Sequence, residues 1–399
     1  MSELGTVDGG TATSGTTALV DAGNYAAKYA ALLGLIQVDG IGPKTAAELI
    51  EQAGSAEAVW HAPRDWLKAR LGGKTYSAFL AAREVHTDAV LTRQLAAYET
   101  LGIRLLALDD PDYPPLLKEI YDPPVLLFVR GNVSALTGKT LAMVGTRQMS
   151  EYGRQVTNKL VGELAPARVC VVSGLARGVD AQAHWQCVHY GLKTVAVFGC
   201  GLDQVYPATN EKLAQAILAG GGAWVSEYPL GTPVSRFTFP RRNRIVVGLS
   251  YGVVVVEGTP KSGALITARL ALEENRNLYA VPGNLFNVGA QGPLQLIQSG
   301  QAQPVVSASE MLTDLQWACA DEGGAGEPAG FAPPPADLPD GLAGHVLAAI
   351  TFDPIGVDRV LELLAATQPV TTAALQEQLT LLELDGWVKS LPGSQVCRI

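Results

Sequence analysis

The chain has 399 residues, with 38 Asp and Glu against 29 Lys and Arg and a formal net charge of -9. That length predicts two or three domains, one of them large enough to bury a full sheet. The acid excess excludes a surface coated in basic charge for nonspecific duplex binding, but leaves room for a local basic cleft.

In chain order, residues 1–22 are rich in Gly, Thr, Ser and Ala and predict a disordered tail. They lack the basic start and apolar run of a secretory leader, and no apolar stretch in the chain approaches the roughly 20 residues that span a bilayer. A cytoplasmic protein without membrane contact is expected. Residues 23–98 carry apolar positions at helical spacing, interrupted in "DGIGPKTA" by Gly40, Gly42 and Pro43. This turn resembles a helix-hairpin-helix, whose glycine-freed amides approach a DNA phosphate. With only Lys44 as nearby charge, a turn inside a small helical bundle is the preferred reading.

Near residue 99 the composition changes to short apolar runs broken by prolines. Residues 99–319 then alternate valine-rich runs, "TLAMVG", "RVCVVSG", "TVAVFG", "AWVSE", "GVVVVEG", "LYAVPG" and "PVVS", with helical patterns. Continuous apolar strands joined by crossover helices predict an α/β domain with a mainly parallel sheet covered on both faces. The Gly, Pro and Ala clusters of residues 320–337 predict a linker. Residues 338–399 read as helices closed by a hairpin, a winged-helix-like unit. Its carboxylates outnumber Arg359, Lys389 and Arg398, which favours protein contact or a structural role over DNA reading. Cys170, Cys187, Cys200, Cys319 and Cys397 are odd in number and widely spaced, and are expected as reduced thiols.

Ligands of open parallel sheets sit beyond the carboxyl ends of the strands, where loops meet helix N-termini. Those loops carry Gly145 and Arg147 in "MVGTRQMSEYG", Ser173, Gly174, Arg177 and Gly178 in "VVSGLARGVDAQAH", and Gly258, Lys261, Ser262 and Gly263 in "VEGTPKSGALITA". "VPGN" adds Gly283 and Asn284, and "SRFTFPRRNRIVVGLS" adds Arg236, Arg241, Arg242 and Arg244. Cations from separate loops, with glycine-freed amides, suit phosphate. The alternative is that the arginines pair with Asp180, Glu227 and Glu257 and only lock the loops. Tyr152, Tyr228, Phe237 and Phe239 lie in the same segments, and aromatics interleaved with cations are the signature of single-strand binding.

Several chemistries lack their motif. No GxxxxGK[ST] places a lysine on ATP, and "VGTRQMSEYG" has the wrong spacing for a dinucleotide. His184 and His189 are five apart, not four, and are read as core or surface residues rather than a metal pair. Ser173 lacks the GxSxG elbow of a hydrolase, so its hydroxyl is expected to donate to phosphate. Asp180 and Glu257 could work as an acid–base pair, but adjacent arginines would hold both ionised. No cofactor, metal or catalytic residue is expected.

"MVGTR", "SGLARGVDAQAH", "FPRRNRIVVGLS" and "EGTPKSGALITA", in this order and with "SEYPLG" and "AVPGN" in register, closely resemble the DNA-processing protein A (DprA/Smf) family. The resemblance implies an extended Rossmann fold that forms a homodimer, flanked by an N-terminal sterile-alpha-motif-like helical domain and a C-terminal winged-helix-like domain. It implies a non-enzymatic protein that binds and protects incoming single-stranded DNA in natural transformation and helps load the recombinase RecA. The pocket positions it implies are Gly145, Arg147, Ser173, Gly174, Arg177, Gly178, Arg241, Arg244, Lys261, Ser262 and Gly263. A competing reading is a nucleotide-sugar hydrolase built around "AVPGN", which lacks the fuller PGGxGTxxE-like loop of such enzymes.

Overall fold

The computed structural model describes residues 26–317, 341–350, 354–365, 370–384 and 387–398. The tail expected at 1–22 and the linker expected at 320–337 lie outside them, as does Cys319; the four other cysteines are buried and free.

Helix α1 covers residues 26–36, followed by α2 (Pro43–Ala53), α3 (Ala56–Trp60), α4 (Arg64–Arg70), α5 (Gly73–Val85) and α6 (Asp88–Thr100). The "DGIGPKTA" turn separates α1 from α2, with Pro43 opening α2, where its missing N–H costs nothing. One apolar core crosses residue 98. Leu33, Leu35, Trp60, Phe79 and Leu91 from the helices join Leu105, Phe128, Phe198 and Trp224 from the sheet. The Tyr98 ring stacks on Phe128 with centroids 4.9 Å apart. Asp110 fastens the first helix to the sheet by accepting from Lys28 (2.9 Å), the Tyr29 hydroxyl and the Ala107 amide (2.6 Å). Burial works to raise the Asp110 pKa, but these donors outweigh it and hold the carboxyl below its ordinary range.

The strands are β1 (Ile103–Ala107), β2 (Leu126–Gly131), β3 (Thr140–Val144), β4 (Cys170–Ser173), β5 (Thr194–Val197), β6 (Ala223–Ser226), β7 (Gly252–Val255), β8 (Asn277–Ala280) and β9 (Gln303–Pro304). They form one nine-stranded sheet in the order β1-β2-β6-β5-β4-β3-β7-β8-β9. From β6 to β9 all pairings are parallel, whereas β1 and β2 extend the edge antiparallel. All seven valine-rich runs enter the sheet, although "PVVS" contributes only Pro304, one of the two residues of edge strand β9.

Between the strands run α7 (Pro115–Lys118), α8 (Glu151–Leu164), α9 (Val179–His189), α10 (Glu211–Ala219), α11 (Thr238–Gly248), α12 (Gly263–Glu273), α13 (Gln291–Gln298) and α14 (Ala308–Asp314). Successive strand residues point to opposite faces. Leu141, Met143 and Val254 therefore pack with Leu160, Val161 and Ala183 on one side, while Ala142, Val144 and Val253 pack with Ile245, Val247 and Ala268 on the other.

The last unit packs α15 (Leu342–Ala349), α16 (Val357–Ala365) and α17 (Thr372–Leu384) against a sheet of β10 (Ile355–Gly356), β11 (Val388–Leu391) and β12 (Gln395–Arg398) in the order β10-β12-β11. The expected hairpin is β11–β12, and β10 adds a third short strand. No helix among the described residues is long and apolar enough to cross a membrane.

Candidate nucleic-acid interface

After β3 the chain continues through β4, β5 and β6 to one side, and β7 returns to its other side. The loops leaving β3 and β7 therefore diverge, which opens a crevice at the carboxyl edge. A cavity of about 810 Å³ lies here, lined among others by Gly145, Arg147, Gly174, Arg242, Ser262 and Gly263.

Its walls are rigid for identifiable reasons. Gly178 has φ +77, and a Cβ there would collide with the Thr146 carbonyl, so only glycine lets the loops after β3 and β4 touch. Leu175 also stands at positive φ, +56, held by its buried side chain and by Asn210, whose Nδ2 donates to its carbonyl at 2.9 Å. Asp180 accepts from the amides of Gly174 (3.1 Å) and Ala176 (3.3 Å), closing the same loop from below.

Arg242, left out of the resemblance-implied set, lines the cavity but is buried and committed. It donates to the Gly174 carbonyl at 2.8 Å and to the Val197 carbonyl, tying α11 to the ends of β4 and β5. Burial pushes the Asp180 carboxyl up and the Arg242 guanidinium down, against the attraction between them. Glu257 is also occupied: its carboxylate accepts from the Ser150 amide (2.9 Å) and hydroxyl (2.5 Å), clamping β7 to the start of α8. Asp180 borders the cavity, but both carboxylates are engaged by donors of the loops they brace. His184 is buried, with Nδ1 2.7 Å from Thr194 Oγ1, and burial pulls its pKa down to about 3.

Two expected site residues need correction. Ser173 is fully buried and donates its hydroxyl to the Met143 carbonyl at 2.6 Å, because the last residue of β4 turns toward the neighbouring strand rather than into the loop. Arg244 is only 6% exposed and pairs with Glu227, itself 7% exposed, and with Asp122 at 3.3 Å. The reason is helical phase: Arg241 and Arg244, three apart, share one face of α11, while Arg242 faces elsewhere. Arg241 stays exposed but lines a groove with Ile41, Gly42 and Pro43 of the N-terminal turn. Tyr152 and Tyr228 also have structural partners, donating to the carbonyls of Pro282 (2.6 Å) and Thr238 (3.4 Å).

Arg147, Arg177 and Lys261 are exposed, and among the described residues none of them is held in an ion pair. Arg147 lies on the cavity wall, with Arg177 and Lys261 beside lining residues Ala176 and Ser262. Gly263 opens α12, whose N-terminus borders the cavity; Ser262, its N-cap, makes no capping hydrogen bond, and its buried hydroxyl has no partner among the described residues. Free amides and an unpaired hydroxyl at a positive dipole end suit an oxyanion. Arg236 and Phe239, expected at the strand ends though outside the resemblance-implied positions, line the cavity, and so does Tyr206, which was not expected there. The Tyr206 and Phe239 rings lie 5.4 Å apart, Arg147 sits 5.7 Å from the Phe239 ring, and Arg236 sits 4.8 Å from that of Phe237. Tyr206 lies in "GLDQVYPATN", a loop without a cation, and the fold brings it here.

Residues 104–316 match the family model described as DNA recombination-mediator protein A, and residues 330–394 match the DprA winged helix domain. The chain belongs to the DNA recombination-mediator protein A family. Among its relatives, Protein Smf of Escherichia coli (strain K12) is 40% identical over 292 residues, 73% of this chain and 76% of the relative. DNA processing protein DprA of Bacillus subtilis (strain 168) is 42% identical over 226 residues, 56% of this chain and 75% of the relative. The X-ray structure of DNA processing protein A from Streptococcus pneumoniae superposes with a TM-score of 0.62 at 33% identity, covering 73% of this chain and 96% of that one. A role in DNA recombination comes with this membership, and the extended sheet and winged-helix unit are those of the family.

Proposed function

We propose that the protein binds single-stranded DNA in the crevice between the β3 and β7 loops, protects it without turnover, and delivers it to RecA during natural transformation in the cytoplasm. The observation that carries this reading is the combination, at one cavity, of a cation without a carboxylate partner among the described residues, a helix N-terminus without a side-chain cap and a pair of aromatic rings. Phosphates meet Arg147 and the α12 amides, with Arg177, Lys261 and Gly263 at the rim, Ser262 beneath them as the N-cap of α12, and Arg241 further along. Bases stack on Phe239 and Tyr206, which a duplex cannot offer because its base faces are covered. Gly145, Gly174 and Gly178 let the chain segments behind this surface pack closely on one another, against Val179, Arg242 and Thr146 respectively. Ser173 and Arg244 act behind this surface, holding strand and helix in position.

The test is binding of labelled oligothymidine to the full chain across a salt series, with the matching duplex as competitor. Single strands bind more tightly, and Arg147→Ala lowers the slope of log affinity against log salt by about 0.7. Equal affinity for duplex, or a slope unchanged by Arg147→Ala, overturns the reading. RecA-dependent ATP hydrolysis on single strands, with and without the protein, tests delivery, and sedimentation velocity tests the homodimer.

A further inference from the structure

The loop after β8 carries an unusual surface. Phe286 is 93% exposed and Leu285 75%, yet the loop that holds them is closely braced. Asn284 Oδ1 accepts from the Phe286 amide (3.0 Å), the Asn287 amide donates to the Asn284 carbonyl (3.0 Å), and Asn287 Oδ1 accepts from the Gly289 amide (2.8 Å). Leaving a large apolar side chain in water forgoes about 1.5–3 kcal/mol of burial, so a braced display of two together marks a contact surface.

Its position links it to the crevice. The Gly258 amide donates to the Gly289 carbonyl (2.6 Å) and the Gly292 amide to the Gly258 carbonyl (2.8 Å), so this loop is tied to the one that leads through Lys261 and Ser262 into α12. β8 pairs with β7 and β7 with β3. At about 4.8 Å per strand, the ends of β3 and β8 are about 10 Å apart on the same edge of the sheet. From Asn277 to Ser309 the chain contains no Asp, Glu, Lys or Arg, in a protein of net charge -9. No charged side chain within this stretch repels or attracts a phosphate.

We propose that Phe286, flanked by Leu285, is a second base-stacking subsite that takes a nucleobase of the same strand after it has crossed the α12 N-terminus. It rests on the single-strand reading above. The contact is apolar and carries no counterion exchange, which separates it from the cationic wall.

The experiment compares the full chain with Phe286→Ala on oligothymidine across a salt series. Affinity falls about fivefold or more at every salt concentration, while the salt slope is unchanged. Phe286→Trp keeps the affinity, and a strand with abasic sites removes the difference between wild type and Phe286→Ala. Unchanged affinity in Phe286→Ala, with binding still sensitive to Arg147→Ala, overturns this subsite alone. A loss of binding that accompanies a change in oligomeric state by sedimentation assigns the loop to self-association and overturns it as well. Wild-type protein that fails to bind single strands overturns the underlying reading.

Discussion

Arg147 and Arg244 carry the same guanidinium and both come from loops or helices at the carboxyl edge of the sheet, yet their surroundings are opposite. Arg147 is exposed beside Phe239, while Arg244 is buried between Glu227 and Asp122. A buried guanidinium with two carboxylates has its charge neutralised locally and is worth little to a ligand; an exposed one without a carboxylate retains its field for a phosphate. The difference teaches that the local density of arginine in "FPRRNRIVV" measures how firmly α11 is anchored, and that the ligand-facing charge is spread thinly over other loops.

The largest effect is expected on removing Arg244. Arg244→Ala leaves the nearly buried Glu227 without its partner and is expected to cost about 3–5 kcal/mol of stability, read from urea melts, while the folded fraction keeps its DNA affinity. An Arg244→Ala protein of normal stability and reduced affinity would place Arg244 among the ligand contacts instead.

Next come the cavity residues, with the reverse pattern. Phe239→Ala is expected to weaken oligothymidine binding by about 1–3 kcal/mol per stacked base without changing the salt slope. Arg147→Ala, which breaks no ion pair among the described residues, is expected to lose affinity with a melting midpoint close to wild type.

A smaller effect sharpens the account of the core beneath the site. His184, with its pKa held at about 3 in the folded chain, stays neutral while the unfolded chain takes up a proton below about pH 6.5. Its contribution to stability is therefore intact above that pH and declines as the pH falls, by about 1.4 kcal/mol per pH unit. Denaturation at pH 7.5 and 5.5, compared with His184→Asn, isolates this slope; an identical pH dependence in the two proteins would refute it. The least effect is expected at Lys261: Lys261→Ala removes one rim contact, lowering the salt slope by about 0.7 or less with no loss of stability.

Much of the fold was legible because its signals are local. Valine-rich runs such as "TVAVFG" have few alternatives to a strand buried on both faces, and the glycines of "SGLARG" mark a loop wherever it lies. The antiparallel β1–β2 edge and the single core joining the N-terminal helices to the sheet were less legible, since Leu33 and Trp224 meet only through packing. Within the site, "MVGTR" and "PKSG" could be placed at strand ends directly, and the turns there leave Arg147 and Lys261 exposed. Ser173 could not, as its orientation depends on the pleat and on the Met143 carbonyl of the adjacent strand. Tyr206 carried no sequence signal.

Periodicity and turn chemistry act over a few residues, so the doubly covered, mainly parallel sheet, the loops at its carboxyl edge, and the cations and glycines in them follow from amino-acid order alone. Only the tertiary structure decided which cations face the ligand. Arg242 is spent on the carbonyls of Gly174 and Val197, and Arg244 on Glu227 and Asp122, partners 17 to 122 positions away along the chain. Charge neutralisation acts through space, and no spacing rule along the chain reports it.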